Sequence, residues 1–153
     1  MKILVMSDSH GNTDAMCMAV SLESPDLILH LGDHDRDCAV VADEFAHIPL
    51  RAVRGNCDFV STEPETYDFT LGGKRFFMTH GHLYGVKREL RTITDTAVGR
   101  AADVLLFGHT HSSCYAKEYG IDIINPGSIG TGKKTYAVLE IKNGMLICNI
   151  KRL

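Results

Sequence analysis

The sequence is short of proline, with four in 153 residues, and no low-complexity or Pro-rich stretch divides it, so nothing marks an interdomain linker. It has no C-x-x-C pair. Cys17, Cys38, Cys57, Cys114 and Cys148 are odd in number and widely spaced, which argues against a disulfide framework or a zinc knuckle and points to a reducing compartment. No apolar run approaches ~18 residues, so no transmembrane helix is expected. Met1-Lys2 leads straight into Ile3-Leu4-Val5-Met6 without the longer apolar stretch and cleavage site of a signal peptide. A soluble cytoplasmic protein is the expectation. A basic excess is also missing: sixteen Lys plus Arg against nineteen Asp plus Glu leave a formal charge of -3. General binding to nucleic acid or to an anionic membrane is therefore not expected.

What is present suits a globular chain, since 44% hydrophobic residues supply a core and 23% charged residues are too few for disorder. One domain over residues 1–153 is expected. Short apolar runs at 3–6, 27–31 and 50–53 alternate with helical stretches at about 13–22 and 37–46. This βαβαβ pattern predicts parallel strands buried on both faces. Runs at 67–71 and 74–78 flank Gly72-Gly73 and predict an antiparallel hairpin. Val86, Leu90, Ile93, Ala97 and Ala101 recur at helical spacing and predict a third helix, with Lys87, Arg88, Glu89 and Arg91 facing water. Runs at 104–107, 114–118, 121–124, 135–141 and 145–150 add strands, the last two joined by Asn143-Gly144. So many strands exceed one sheet. The expected class is α/β, a four-layer α/β/β/α sandwich of two mixed β-sheets flanked by helices.

The polar residues fall at strand ends. Asp8 and His10 follow the first run, Asp33 the second, Asn56 and Asp58 the third, His80 the run at 74–78, and His109 and His111 the run at 104–107. Ends that share one rim converge, so Asp8, His10, Asp33, Asn56, His80, His109 and His111 form a candidate ligand set. Mixed nitrogen and oxygen donors suit two transition-metal ions better than Mg²⁺ or Ca²⁺. Gly32, Gly55, Gly81 and Gly108 flank members of the set, where the lack of a Cβ permits sharp turns and close backbone approach. His30 and His47 are read as structural.

Asp8-Ser9-His10, Gly32-Asp33, Gly55-Asn56-Cys57-Asp58, Thr79-His80-Gly81-His82 and Gly108-His109-Thr110-His111, in this order, resemble the calcineurin-like metallophosphoesterases. The short length, Cys57 and Asn125-Pro126-Gly127-Ser128 resemble the small bacterial and archaeal phosphodiesterase branch. The resemblance implies the calcineurin-like fold and a binuclear site. In it, Asp8, His10 and His111 hold one ion, Asn56, His80 and His109 the other, and Asp33 bridges them. It implies hydrolysis of a small phosphodiester by in-line attack of a metal-bridging hydroxide, with manganese the first choice of metal and iron, nickel or zinc as alternatives. Asp33, Asn56, Cys57, Asp58 and His82 are the expected catalytic group. Cys57 stands where many members carry a proton-donating His, and His82 could substitute for it. Asp35 or Asp37 and the loop 125–128 are expected to support the site, and Lys133 and Lys134 to face water. His109 and His111 should point to different ions as alternate residues of an extended loop. Two other readings are a metal-binding interaction scaffold of the same fold and a nuclease. Monomer and oligomer are both compatible with the sequence.

Overall fold

Every second residue of the first strand enters a different core. In the computed structural model, which describes residues 1–153, β1 (Lys2–Met6) sends Ile3 and Val5 between two sheets and Leu4 and Met6 under a pair of helices. A strand buried on both faces needs apolar residues at every position, which is why the run at 3–6 shows no polar alternation. Those helices are α1 (Thr13–Glu23) and α2 (Asp37–Glu44), and they connect β1 to β2 (Leu27–His30) and β2 to β3 (Leu50–Ala52). Asn12 caps α1 by accepting the Ala15 N–H at 3.2 Å. The three strands run parallel, while β9 (Thr135–Lys142) and β10 (Met145–Arg152) join antiparallel beyond β1, giving the order β10-β9-β1-β2-β3.

The second sheet has the order β4-β5-β6-β8-β7, from β4 (Thr66–Leu71), β5 (Lys74–Thr79), β6 (Val104–Leu106), β7 (Cys114–Glu118) and β8 (Ile121–Asn125). Its centre, β5-β6-β8, is parallel and its outer pairs are antiparallel. Phe76, Met78, Val104, Leu106 and Ile124 meet the first sheet, and Phe77, Leu105 and Ile123 turn outward to α3 (Arg91–Gly99). The result is the expected α/β/β/α sandwich of two mixed five-stranded sheets. No helix is long and apolar enough to cross a membrane.

The third helix is shorter than its periodicity predicts. It begins at Arg91, because Gly81 and Gly85 hold φ of 102° and 64° on either side of a 3₁₀ turn at His82–Tyr84. Val86 still enters the outer core beside Phe107, so its apolar period reports burial without helix. The second helix likewise ends at Glu44, before the predicted Ala46.

Candidate metal centre

The loop after β1 is bent against the preference of its residues. Asp8 and His10 hold φ of 54° and 46°, a left-handed geometry that costs a residue with a Cβ roughly 1–2 kcal/mol and persists only where surroundings enforce it. Ser7 Oγ and the His109 N–H donate to Asp8 Oδ2 at 2.5 and 3.1 Å, and Ser128 Oγ donates to Asp8 O at 2.8 Å. Asp37 Oδ2 accepts Ser9 Oγ at 2.7 Å and the Gly11 N–H at 2.8 Å. Asp8 is fully buried, yet its Oδ1 has no hydrogen bond. That oxygen lies 3.2 Å from His111 Nε2, which lies 3.2 Å from His10 Nε2. A buried carboxylate oxygen without a donor, facing imidazole nitrogens, suits a cation.

The loops after β2 and β3 are tied by Asp58. Its Oδ2 accepts the N–H groups of Asp33 and Gly55 at 2.9 and 2.7 Å, and its Oδ1 those of His34 and Asp35 at 2.7 and 3.1 Å. Asp58, grouped with the catalytic residues on sequence, therefore spends both oxygens on backbone and acts by position. Asp33 is held at φ 60°, where Oδ1 accepts the Cys57 N–H at 2.8 Å and Oδ2 the Cys57 thiol at 3.3 Å. Glycine is required at 55 because a Cβ there would collide with Asp33 Oδ1. Burial opposes ionisation of Asp33, but the Cys57 N–H, His80, the Cys57 thiol and His10 outweigh it and hold the carboxyl below its ordinary value.

His80, fully buried after β5, donates from Nδ1 to Leu31 O at 2.8 Å, since a carbonyl only accepts. In the neutral ring its Nε2 is a lone pair. That nitrogen meets Asn56 Oδ1 and His109 Nδ1 at 3.1 Å each and Asp33 Oδ1 at 3.5 Å. A single proton cannot satisfy these acceptors together, whereas a cation among them can. Burial, His80 and Lys87 push His109 down to about 4, which leaves its imidazole neutral and available as a donor of electrons at neutral pH.

The candidate ligands thus gather on one rim. Atoms of Asp8, His10 and His111 lie within 4.8 Å of one another, as do those of Asp33, His80 and His109. Asp33 also groups with His10 and Cys57, so its carboxylate stands between the clusters, and Asn56 joins through His80. His109 and His111 fall in different clusters for a reason other than extended alternation. Both are left-handed, φ 66° and 57°, and the Thr110 N–H turns back to Gly108 O at 2.8 Å. Asn125 Nδ2 supports this turn through Gly108 O and Thr110 Oγ1 at 2.9 and 3.0 Å.

Cys57 is exposed at the mouth, and burial of its sulfur beside Asp33 pushes the thiol up to about 11. The His82 ring lies 5.4 Å from that of His80 and 6.2 Å from that of His109, and its Nδ1 is buried without a partner. Burial and His80 push its pKa down. Sequence reasoning missed Ser7, whose only signal is a hydroxyl directly before Asp8. It also missed Thr131, whose Oγ1 is 3.4 Å from His111 Nδ1.

Mixed sheets stacked between helices, with carboxylates and imidazoles gathered at the strand ends, define an α/β/β/α sandwich with a candidate metal centre on one rim. The chain belongs to the calcineurin-like phosphoesterase superfamily, whose domain model matches residues 1–144. It is 35% identical to the probable metallophosphoesterase YsnB of Bacillus subtilis, covering 94% of this chain and 86% of that protein. It is 30% identical to the phosphodiesterase YfcE of Escherichia coli K12, covering 92% and 88%. The crystal structure of a predicted phosphoesterase from Streptococcus pneumoniae TIGR4 superposes with a TM-score of 0.82 at 28% identity, over 99% of this chain and 88% of that one. Family, relatives and donor clusters together support a metal-dependent phosphoesterase.

Proposed function

We propose that the protein is a binuclear phosphodiesterase acting on a small phosphodiester. The observation that carries this reading is the convergence of His80 Nε2, Asn56 Oδ1, His109 Nδ1 and Asp33 Oδ1 beside the unpartnered Asp8 Oδ1, with Asp33 shared between clusters. In it, Asp8, His10 and His111 would hold one divalent ion and Asn56, His80 and His109 the other, with Asp33 shared between them. The donors suit manganese, and equally iron, nickel or zinc. Two such ions when bound supply a water acidified towards neutrality and positive charge for the phosphoryl oxygens.

The chain's own residues set the geometry. Asp58, Asp37, Asn125 and Ser128 hold four of the five ligand segments, and Leu31 O holds His80 in the fifth. Asp8, Asp33 and His80 are buried while Asn56 and His111 are exposed, which leaves the cluster open on one side for a phosphoester. The Cys57 thiol points at Asp33 Oδ2 and is a weak donor, so it offers little to a departing alkoxide. Esters that leave well should be favoured, and diesters over monoesters. The test is hydrolysis of bis(p-nitrophenyl) phosphate by chelator-stripped protein with and without Mn²⁺, alongside metal analysis. Turnover that appears only with metal supports the reading. An interaction scaffold would bind metal and stay silent in both arms.

A further inference from the structure

Beside the metal centre, and sharing His34, Cys57 and Asp58 with it, a cleft of about 730 Å³ runs between α2 and the loop at 57–63. This volume lies within the range of small-molecule sites, roughly 300–1,000 Å³. Part of its polar lining is already spent. Asp58 is saturated by backbone N–H groups, and Ser61 Oγ donates to Asp35 Oδ2 while accepting the Glu63 N–H. What remains for a ligand is an apolar side formed by Ala39, Ala42, Ile48 and Leu50, together with the Arg36 side chain and the buried, unpartnered His34 Nδ1.

The other side carries a feature that burial does not explain. Phe59 and Val60 are 90% and 99% exposed, and they sit on a turn held at both ends, by Asp58 and by the Ser61 N–H donating to Asp58 O at 3.3 Å. Large apolar side chains held out to water on a fixed turn are costly unless something covers them. These directly follow Asn56-Cys57-Asp58, so whatever covers them is adjacent to the reacting ester.

We infer that the cleft receives an ester group of the substrate and that this group is a planar aromatic ring, of aryl or nucleobase size, packed against Phe59. The inference rests on the phosphoesterase reading and adds the class of ester. A ring has the flat apolar face that Phe59 stacks on, and its shape fills a slot between a helix and a loop at low conformational cost. A methyl or other small alkyl ester would leave most of the slot to water.

Binding separates this inference from its parent. Methylphosphonate, phenylphosphonate and a nucleoside 5′-phosphonate, none of which carries a scissile P–O ester, are titrated calorimetrically into Mn²⁺-loaded protein. Phenylphosphonate is expected to bind about tenfold tighter than methylphosphonate. Phe59→Ala and Ala42→Gln should abolish that ratio while leaving methylphosphonate affinity unchanged. A nucleoside probe tighter than phenylphosphonate identifies the ring as a nucleobase, and one no tighter identifies a simple aryl group. The chain has no tryptophan, so Val60→Trp gives a single indole emitter, expected to respond to the phenyl probe and not to the methyl one. Equal binding of methyl and phenyl probes, unchanged by Phe59→Ala, would overturn the cleft assignment alone. Failure of every probe to bind a protein that still hydrolyses bis(p-nitrophenyl) phosphate with Mn²⁺ would overturn this inference alone, and failure of both binding and that hydrolysis would overturn the phosphoesterase reading with it.

Discussion

Asp58 Oδ2 accepts the backbone N–H of Asp33 at 2.9 Å, so a residue following β3 fixes the one following β2. Two loops separated by a helix and a strand become one piece, and the carboxylate at the centre of the site inherits its position from another whose oxygens are both taken up by backbone N–H groups.

Asp58→Asn should therefore act through position. Both Asp58 oxygens already face backbone donors, and an amide nitrogen in place of one would confront two N–H groups. Leaving these groups unpaired costs on the order of 1–3 kcal/mol. Urea unfolding should show a lowered midpoint, and metal content should fall although no direct ligand has changed. Unaltered stability with full metal would show that the loops hold themselves.

Asp33→Asn should lose more metal and more activity than any other single change at a candidate ligand. A neutral amide cannot supply charge to two cations, and with one oxygen in place of two it can accept from only one of the Cys57 N–H and thiol. Metal analysis of the purified variant decides it. Near-normal turnover with both ions retained would sink the shared role.

His109→Ala and His111→Ala should each affect a different ion, since His109 groups with Asp33 and His80 and His111 with Asp8 and His10. Anomalous scattering from manganese-soaked crystals of each variant should show one peak weakened, and not the same one. Loss of the same peak from both would refute the division.

Much of this was legible in the sequence, because strands buried on both faces write continuous apolar runs and polar residues then stand out at their ends. Sheet number, helix placement and the convergence of Asp8 with His111 follow from that pattern. The start of α3 did not, since Val86 is buried from a turn that Gly85 shapes and burial alone mimics helical period. Nor did the left-handed backbone at Asp8, His10, Asp33, His109 and His111, which tertiary hydrogen bonds enforce against local preference. Phe59 and Val60 carry no sequence signal of their own, and only the fold places α2 across the cleft from them.

Away from the site, Glu23 predicts an acid-side dependence of stability. Burial opposes its ionisation, yet hydrogen bonds from Lys151 at 2.9 Å and Tyr136 at 2.9 Å and the charges of Lys151 and Lys2 outweigh it, so its pKa lies below the ordinary value. A carboxyl with a depressed folded pKa contributes stability above its unfolded pKa of ~4.3, and that contribution disappears as pH falls through the folded value. The stability gap between wild type and Glu23→Gln should be full at pH 7 and shrink below about pH 4. Denaturant melts of both proteins across that range check it, and a constant gap would mean that the charge contributes nothing.

The last prediction concerns Cys57, which the fold places at the open side of the centre with its sulfur 3.3 Å from Asp33 Oδ2. Its hydrogen is already aimed at that carboxylate, and a thiol is a weak donor in any case. A departing ester oxygen must then leave with little protonation from this position. General acid assistance is typically worth ~10²- to 10⁴-fold, and the loss weighs most on a poorly leaving alkoxide, least on an aryl oxide. Replacement by histidine changes the reach as well as the chemistry, because an imidazole is longer than a thiol and carries a stronger N–H donor. Cys57→His should therefore raise turnover of alkyl esters relative to p-nitrophenyl esters, and raise monoester turnover relative to the diester. Paired mono- and diesters sharing one leaving group, measured in both proteins with metal content matched, give the two ratios directly. Should wild type already prefer the monoester and the substitution leave both ratios in place, position 57 does not govern substrate class. Protonation would then belong to another group on the rim, with His34 and His82 the neighbouring imidazoles not assigned to an ion.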